Sequence, residues 1–162
     1  MTVEEAIRKL EAEREKIWLD QPEEVRSLSE GYVPRNSGSR GQYLSTIIFA
    51  EGETRTFADE FLWGIIRVIE DSEPDLKTLQ AYIAQVIGYK ASFFDFVGLP
   101  HACEMTRMYV DAAQACTTNA ELLALTKAAL GYANRLHMWV DFILPWGLGG
   151  GFRKKPLKAK AD

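Results

Sequence analysis

Residues 118–143 read TNAELLALTKAALGYANRLHMWVDFI, and this stretch decides the fold. Thr118 and Glu121 have capping-box spacing, so a helix starts here. Leu122, Leu125, Ala129, Tyr132, Leu136, Trp139 and Ile143 then recur at alternating steps of three and four. That period is the seam of a helix in a bundle. Leu144-Pro145-Trp146-Gly147 and the run Gly149-Gly150-Gly151 end it.

Working towards the N-terminus, the same grammar repeats. His101 to Cys116 predicts a helix with Met105, Tyr109, Ala112 and Cys116 on one face. Gly98-Leu99-Pro100 precedes it, closing an aromatic segment with Phe93, Phe94 and Phe96. A helix from about Asp75 to Tyr89 points Leu76, Leu79, Ile83, Val86 and Ile87 inward. Phe57 to Glu70 leaves only a narrow polar stripe of Glu60, Gly64, Arg67 and Asp71, which predicts a central helix. At the N-terminus Thr2 and Glu5 form a second capping-box pair. Val3, Ile7, Leu10 and Ile17 follow at helical spacing, interrupted by Arg14 and extended by Trp18. Asp20-Gln21-Pro22 breaks that helix, and Pro22-Glu23-Glu24 starts a short second one.

One region departs from this pattern. Residues 31–41 are rich in Gly, Pro, Ser and Asn and read as a loop. Residues 42–50 form a β-rich run that reaches Glu51-Gly52-Glu53, with Thr54-Arg55-Thr56 as a returning arm. They read as a small hairpin over 42–56 or, equally, as a buried helical turn, because short apolar runs fit both periods. The fold class expected is mainly α, a bundle of five to six helices with that small hairpin as an option. The bundle domain spans 1–148, and 149–162 is a flexible Gly-rich, basic tail.

Bulk properties bound the function. The chain has 162 residues, 47% hydrophobic and 26% charged, which excludes disorder throughout, collagen and mucin-like composition. The N-terminus lacks the basic and apolar regions of a signal peptide, and no uncharged apolar run approaches the roughly 20 residues of a membrane span. A cytoplasmic location is the expectation, with Cys103 and Cys116 reduced. The formal net charge is −4, but it is unevenly placed. Arg153, Lys154, Lys155, Lys158 and Lys160 against Asp162 give the last ten residues +4, so the body carries −8. An acidic body argues against nucleic acid as a partner. Two histidines, no Cys-x-x-Cys and no Glu-x-x-His leave neither a metal nor a cofactor expected.

Three groups of residues carry candidate chemistry. Arg35, Ser37, Ser39 and Arg40 place two guanidinium forks and two hydroxyls around Gly38, a composition that wraps a carboxylate or phosphate. The alternative is a polar surface loop whose arginines meet the acidic body. His137 shares a stripe with Leu130, Ala133, Val140 and Leu144, and Asp141 lies one turn further on. A half-buried histidine beside a carboxylate suits proton transfer, and equally suits a core-edge histidine satisfied by Asp141. His101 with Glu104, followed by Arg107 and Asp111, has the spacing of a surface ion-pair ladder. Cys103 and Cys116 read as small buried hydrophobes. Trp139, Trp146 and Phe152 read as core packing or as an apolar patch for a partner.

Three stretches together carry a family resemblance: Glu13-Arg14-Glu15-Lys16-Ile17-Trp18, Gly38-Ser39-Arg40-Gly41-Gln42-Tyr43, and Trp139-Val140-Asp141-Phe142-Ile143-Leu144-Pro145-Trp146. They resemble the C-terminal helical-bundle domain of cucumopine synthase and its bacterial relatives. The resemblance implies condensation of histidine with 2-oxoglutarate to an opine. It also implies a cyclophilin-like domain beside the bundle, which this chain does not carry. A separate cyclophilin-like subunit or a homo-oligomer is therefore the expected partner. The chain would bind a small carboxylate through Arg35, Ser37, Ser39 and Arg40, and His137 with Asp141 would transfer protons. A non-enzymatic interaction module and a free-standing small enzyme of opine metabolism are the other readings.

Overall fold

The computed structural model describes residues 1–17, 50–97 and 99–143, with side chains through Asp141. Among the described residues there are five helices and no strand. Helix α1 is Val3–Glu15. Helix α2 runs over residues 50–71, helix α3 over Leu76–Phe96, helix α4 over Pro100–Ala115 and helix α5 over Asn119–Ile143. The architecture is an all-α bundle, as the periodicity predicts.

Helix α5 is its centre, because α1, α2 and α4 all pack on it. Leu122, Leu125, Ala129, Tyr132, Leu136 and Trp139 are buried, as the three–four seam requires, and Thr126, Ala133 and Val140 widen the seam into a broad buried face. Phe57 to Glu70 is not the central helix. Its buried face is limited to Phe57, Ala58, Leu62, Ile65 and Ile66, whereas Trp63 and Val68 face solvent. Among the described residues no helix covers that face, and it remains exposed.

Thr2 caps α1 in the reciprocal manner expected: Glu5 N donates to Thr2 Oγ1 at 3.1 Å, and Thr2 N donates to Glu5 Oε1 at 2.8 Å. At α5 only half of the box forms. Glu121 N donates to Thr118 Oγ1, but the Glu121 carboxylate turns to Thr117 N and Oγ1 instead. Pro100 occupies the first turn of α4, where its missing N–H is harmless. Gln80 closes the other end, donating to Ala113 O and Cys116 O at 2.9 Å, which satisfies carbonyls that the ending helix orphans.

The optional hairpin resolves to its helical alternative where it is described. Residues 50–56 are α-helical, so Thr54-Arg55-Thr56 is not a returning strand. Residues 42–49, the 22–24 helix start, the loop 31–41 and the tail 149–162 lie outside the described residues. Three π-helical segments, Phe57–Leu62, Ile83–Ile87 and Trp139–Ile143, interrupt α2 and α3 and end α5. Each shifts the register of the helix face by widening the turn to i→i+5 bonds. No helix among the described residues is long and apolar enough to cross a membrane.

Candidate functional site

The first turns of α2 and the last turns of α5 meet, since the π segment of α2 packs on α5. From α5 come His137 and Asp141, four residues apart and thus on one side of the helix. Asp141 sits inside the terminal π segment and is 6% exposed. From α2 come Glu51 and Thr54, and Thr54 is buried. One ring nitrogen of His137 and one carboxylate oxygen from each of Glu51 and Asp141 lie within 4.8 Å of one another. Thr54 Oγ1 is 3.1 Å from His137 Nδ1 and donates to Glu51 O at 3.0 Å. Arg55 stands 3.7 Å from Glu51 on the solvent side. One imidazole and two carboxylates complement a cation, either a primary ammonium or a divalent ion.

The structure therefore brings His137 and Asp141 together and adds Glu51 and Thr54, which the sequence reading did not single out. Their signal was masked because residues 42–56 fit a hairpin as well as a helix. Only the helical alternative puts Glu51 and Thr54, three residues apart, on one face. Arg35, Ser37, Ser39 and Arg40 lie outside the described residues.

His101 does not join this site, nor a ladder with Glu104. Its Nε2 donates to Glu13 Oε1 at 2.6 Å, and its Nδ1 is 2.8 Å from Tyr132 OH. Glu13 is buried on α1 at a position that the apolar stripe skips. Lys16 Nζ donates to its second oxygen at 2.7 Å, with Lys9 at 3.5 Å. Burial alone would raise the Glu13 carboxyl, but the hydrogen bonds and charges of Lys16 and His101 outweigh it and hold it down to about 2. Burial pushes the Tyr132 phenol well up, so it stays neutral. The group staples α1, α4 and α5 together. Glu104, Arg107 and Asp111 are exposed.

The remaining candidates settle into the core. Cys103 and Cys116 are buried free thiols, and burial raises both, Cys116 to about 11. Neither is poised as a nucleophile. Trp139 is buried, with its indole N–H unpartnered among the described residues. Trp146 and Phe152 lie outside the described residues.

Comparison with known proteins adds the following. The family described as cucumopine synthase C-terminal helical bundle domain matches residues 3–142. A solved structure described as "Structure of McbB in complex with tryptophan" superposes with a TM-score of 0.74 at 27% sequence identity, over 94% of this chain. This chain spans about half, 49%, of that chain's length. A search of curated proteins gives no match.

Proposed function

The chain belongs to the cucumopine synthase C-terminal helical bundle domain family, and on that premise we propose that it is the amino-acid-binding helical part of a condensing enzyme of opine type. The observation that carries this reading is the structural neighbour: it holds tryptophan, an amino acid, and this chain matches about half of it. The reaction class is attack of a primary amine on the carbonyl of a 2-oxo acid, with loss of water to give an imine. Such a reaction needs the amine as its free base, and so it needs a group that takes the ammonium proton. His137 with Asp141 is that group. Arg35 and Arg40, with Ser37 and Ser39, hold substrate carboxylates by charge-assisted hydrogen bonds. A cyclophilin-like subunit, or a second copy of the chain, completes the site.

Calorimetric titration of the full chain with 2-oxoglutarate tests the carboxylate part. Arg40→Ala is expected to weaken binding about ten- to hundredfold, the usual worth of a hydrogen bond to a charged group, with an unchanged Tm. Unaltered binding in the variant, or none by the parent, contradicts it.

A second reading has one observation in its favour. On α3, Tyr82, Tyr89 and Phe96 recur every seven residues and are exposed, with Val86 and Phe93 half-buried between them. That spacing presents an apolar stripe to a neighbouring helix. The interaction-module reading uses the stripe for a partner without chemistry, whereas the enzymatic reading uses it to dock the second subunit.

A further inference from the structure

Thr54 decides which nitrogen of His137 is available. Its Oγ1 carries one proton and has two polar neighbours, Glu51 O at 3.0 Å and His137 Nδ1 at 3.1 Å. A backbone carbonyl only accepts, and a helical threonine hydroxyl habitually bonds back to one. The hydroxyl proton therefore goes to Glu51 O. Oγ1 then meets Nδ1 as an acceptor, so Nδ1 carries the hydrogen. The neutral ring has one further nitrogen, Nε2, and that nitrogen carries the lone pair. Because Thr54 is 1% exposed, water does not compete for this hydrogen bond.

Two carboxylates stand beside the ring, Glu51 with Arg55 at 3.7 Å on its solvent side. Glu51 is half-buried and Asp141 is buried, and both reach the cluster with a carboxylate oxygen. Two carboxylates beside an imidazole match a ligand that arrives as a cation and leaves a proton behind. We propose that Glu51 and Asp141 seat the ammonium of a bound amino acid and that Nε2 of His137, left as the lone-pair nitrogen of the neutral ring by the Thr54 contact at Nδ1, takes its proton. This deepens the functional reading above and rests on it for the identity of the ligand. In the step, one N–H bond of the ammonium breaks and its electron pair stays on the nitrogen, giving the neutral amine. The proton forms a new bond to Nε2, and the imidazolium is then held by the same two carboxylates. The charge moves from ligand to ring without leaving the seat. Thr54 is a positioning residue; His137, Glu51 and Asp141 touch the ligand.

The test is nitrogen NMR on the full chain labelled at histidine, first alone and then with L-tryptophan as the probe. Wild type is expected to show Nδ1 as a protonated, pyrrole-type nitrogen and Nε2 as an unprotonated one. Thr54→Val removes the acceptor and is expected to mix the two tautomers, while Thr54→Ser restores the wild-type pattern. L-Tryptophan is expected to protonate Nε2, and N-acetyl-L-tryptophan, which has no ammonium, is expected to leave it unchanged. Glu51→Gln is expected to weaken L-tryptophan binding about tenfold. A hydrogen on Nε2 in the wild type overturns the inference alone, as does an unchanged tautomer in Thr54→Val. Zinc chloride that shifts His137 where L-tryptophan does not makes the cluster a metal site and overturns it. A tautomer as described with no response to any amino acid overturns the proton-transfer role and the functional reading together.

Discussion

Glu13 shows what a single residue does against its sequence context. It lies among solvated charges on a helix whose apolar stripe passes it by, yet it is buried and held by His101, Lys16 and Lys9. Helical period alone assigns faces, but only the neighbouring helices decide which face of α1 meets α4 and α5. The linkage has a definite sign. The folded carboxyl, at about 2, lies below its ordinary 4.5, so the stabilisation is complete above about pH 4.5 and is lost as pH falls towards 2. Glu13→Gln is expected to remove that dependence in acid denaturation and to cost about 1–3 kcal/mol at neutral pH by urea unfolding. An unchanged acid midpoint would show that Glu13 is not the group. His137 and Asp141 were legible as a pair in the sequence, since four-residue spacing on a helix is a local property. Glu51 and Thr54 reach them from more than eighty residues away, which no local pattern encodes.

At the scale of elements, a shielded ion pair joins α2 to α3. Lys90 Nζ is 2.6 Å from Glu53 Oε1, with both side chains largely out of solvent. The ammonium also lies 5.3 Å from the Phe61 ring centroid and 5.1 Å from that of Phe93. Phe57 and Phe94 meet edge to face at 5.2 Å nearby. A shielded pair of this kind is costly to break on one side. Lys90→Met alone is expected to destabilise the protein by about 3 kcal/mol, and adding Glu53→Gln is expected to recover part of it. Equal losses in the single and double variants would contradict this coupling. Helix identities and both N-terminal caps were legible because capping and period are short-range. The three π segments were not, since an inserted residue in a helix ladder leaves no mark on composition. Thr118→Ala, which removes the cap of α5, is expected to lower stability by about 1 kcal/mol, read from the urea midpoint.

Among the described residues the molecule is a bundle organised around α5, and the three–four seam at residues 122–139 marked that helix as a bundle helix without marking it as the centre. The mistaken assignment of Phe57 to Glu70 as central follows from the same rule: a helix apolar on most faces is buried only if enough partners exist. Among the described residues they do not, and Trp63 remains exposed. The aromatic stripe on α3 is exposed in the same way. If it docks a cyclophilin-like subunit, replacing Tyr89 and Phe96 by serine is expected to abolish a complex on size-exclusion chromatography with an unchanged Tm, since buried aromatic anchors dominate interface energies. A complex that survives the double change places the interface elsewhere.

The central claim is that this bundle binds an amino acid at the junction of α2 and α5. Calorimetric titration of the full chain with L-histidine and with L-tryptophan, beside His137→Ala, tests it most directly. The account predicts saturable binding of at least one of the two, weakened tenfold or more in the variant at unchanged Tm. Binding that the variant retains in full, or no binding of either amino acid to the parent chain, would contradict it.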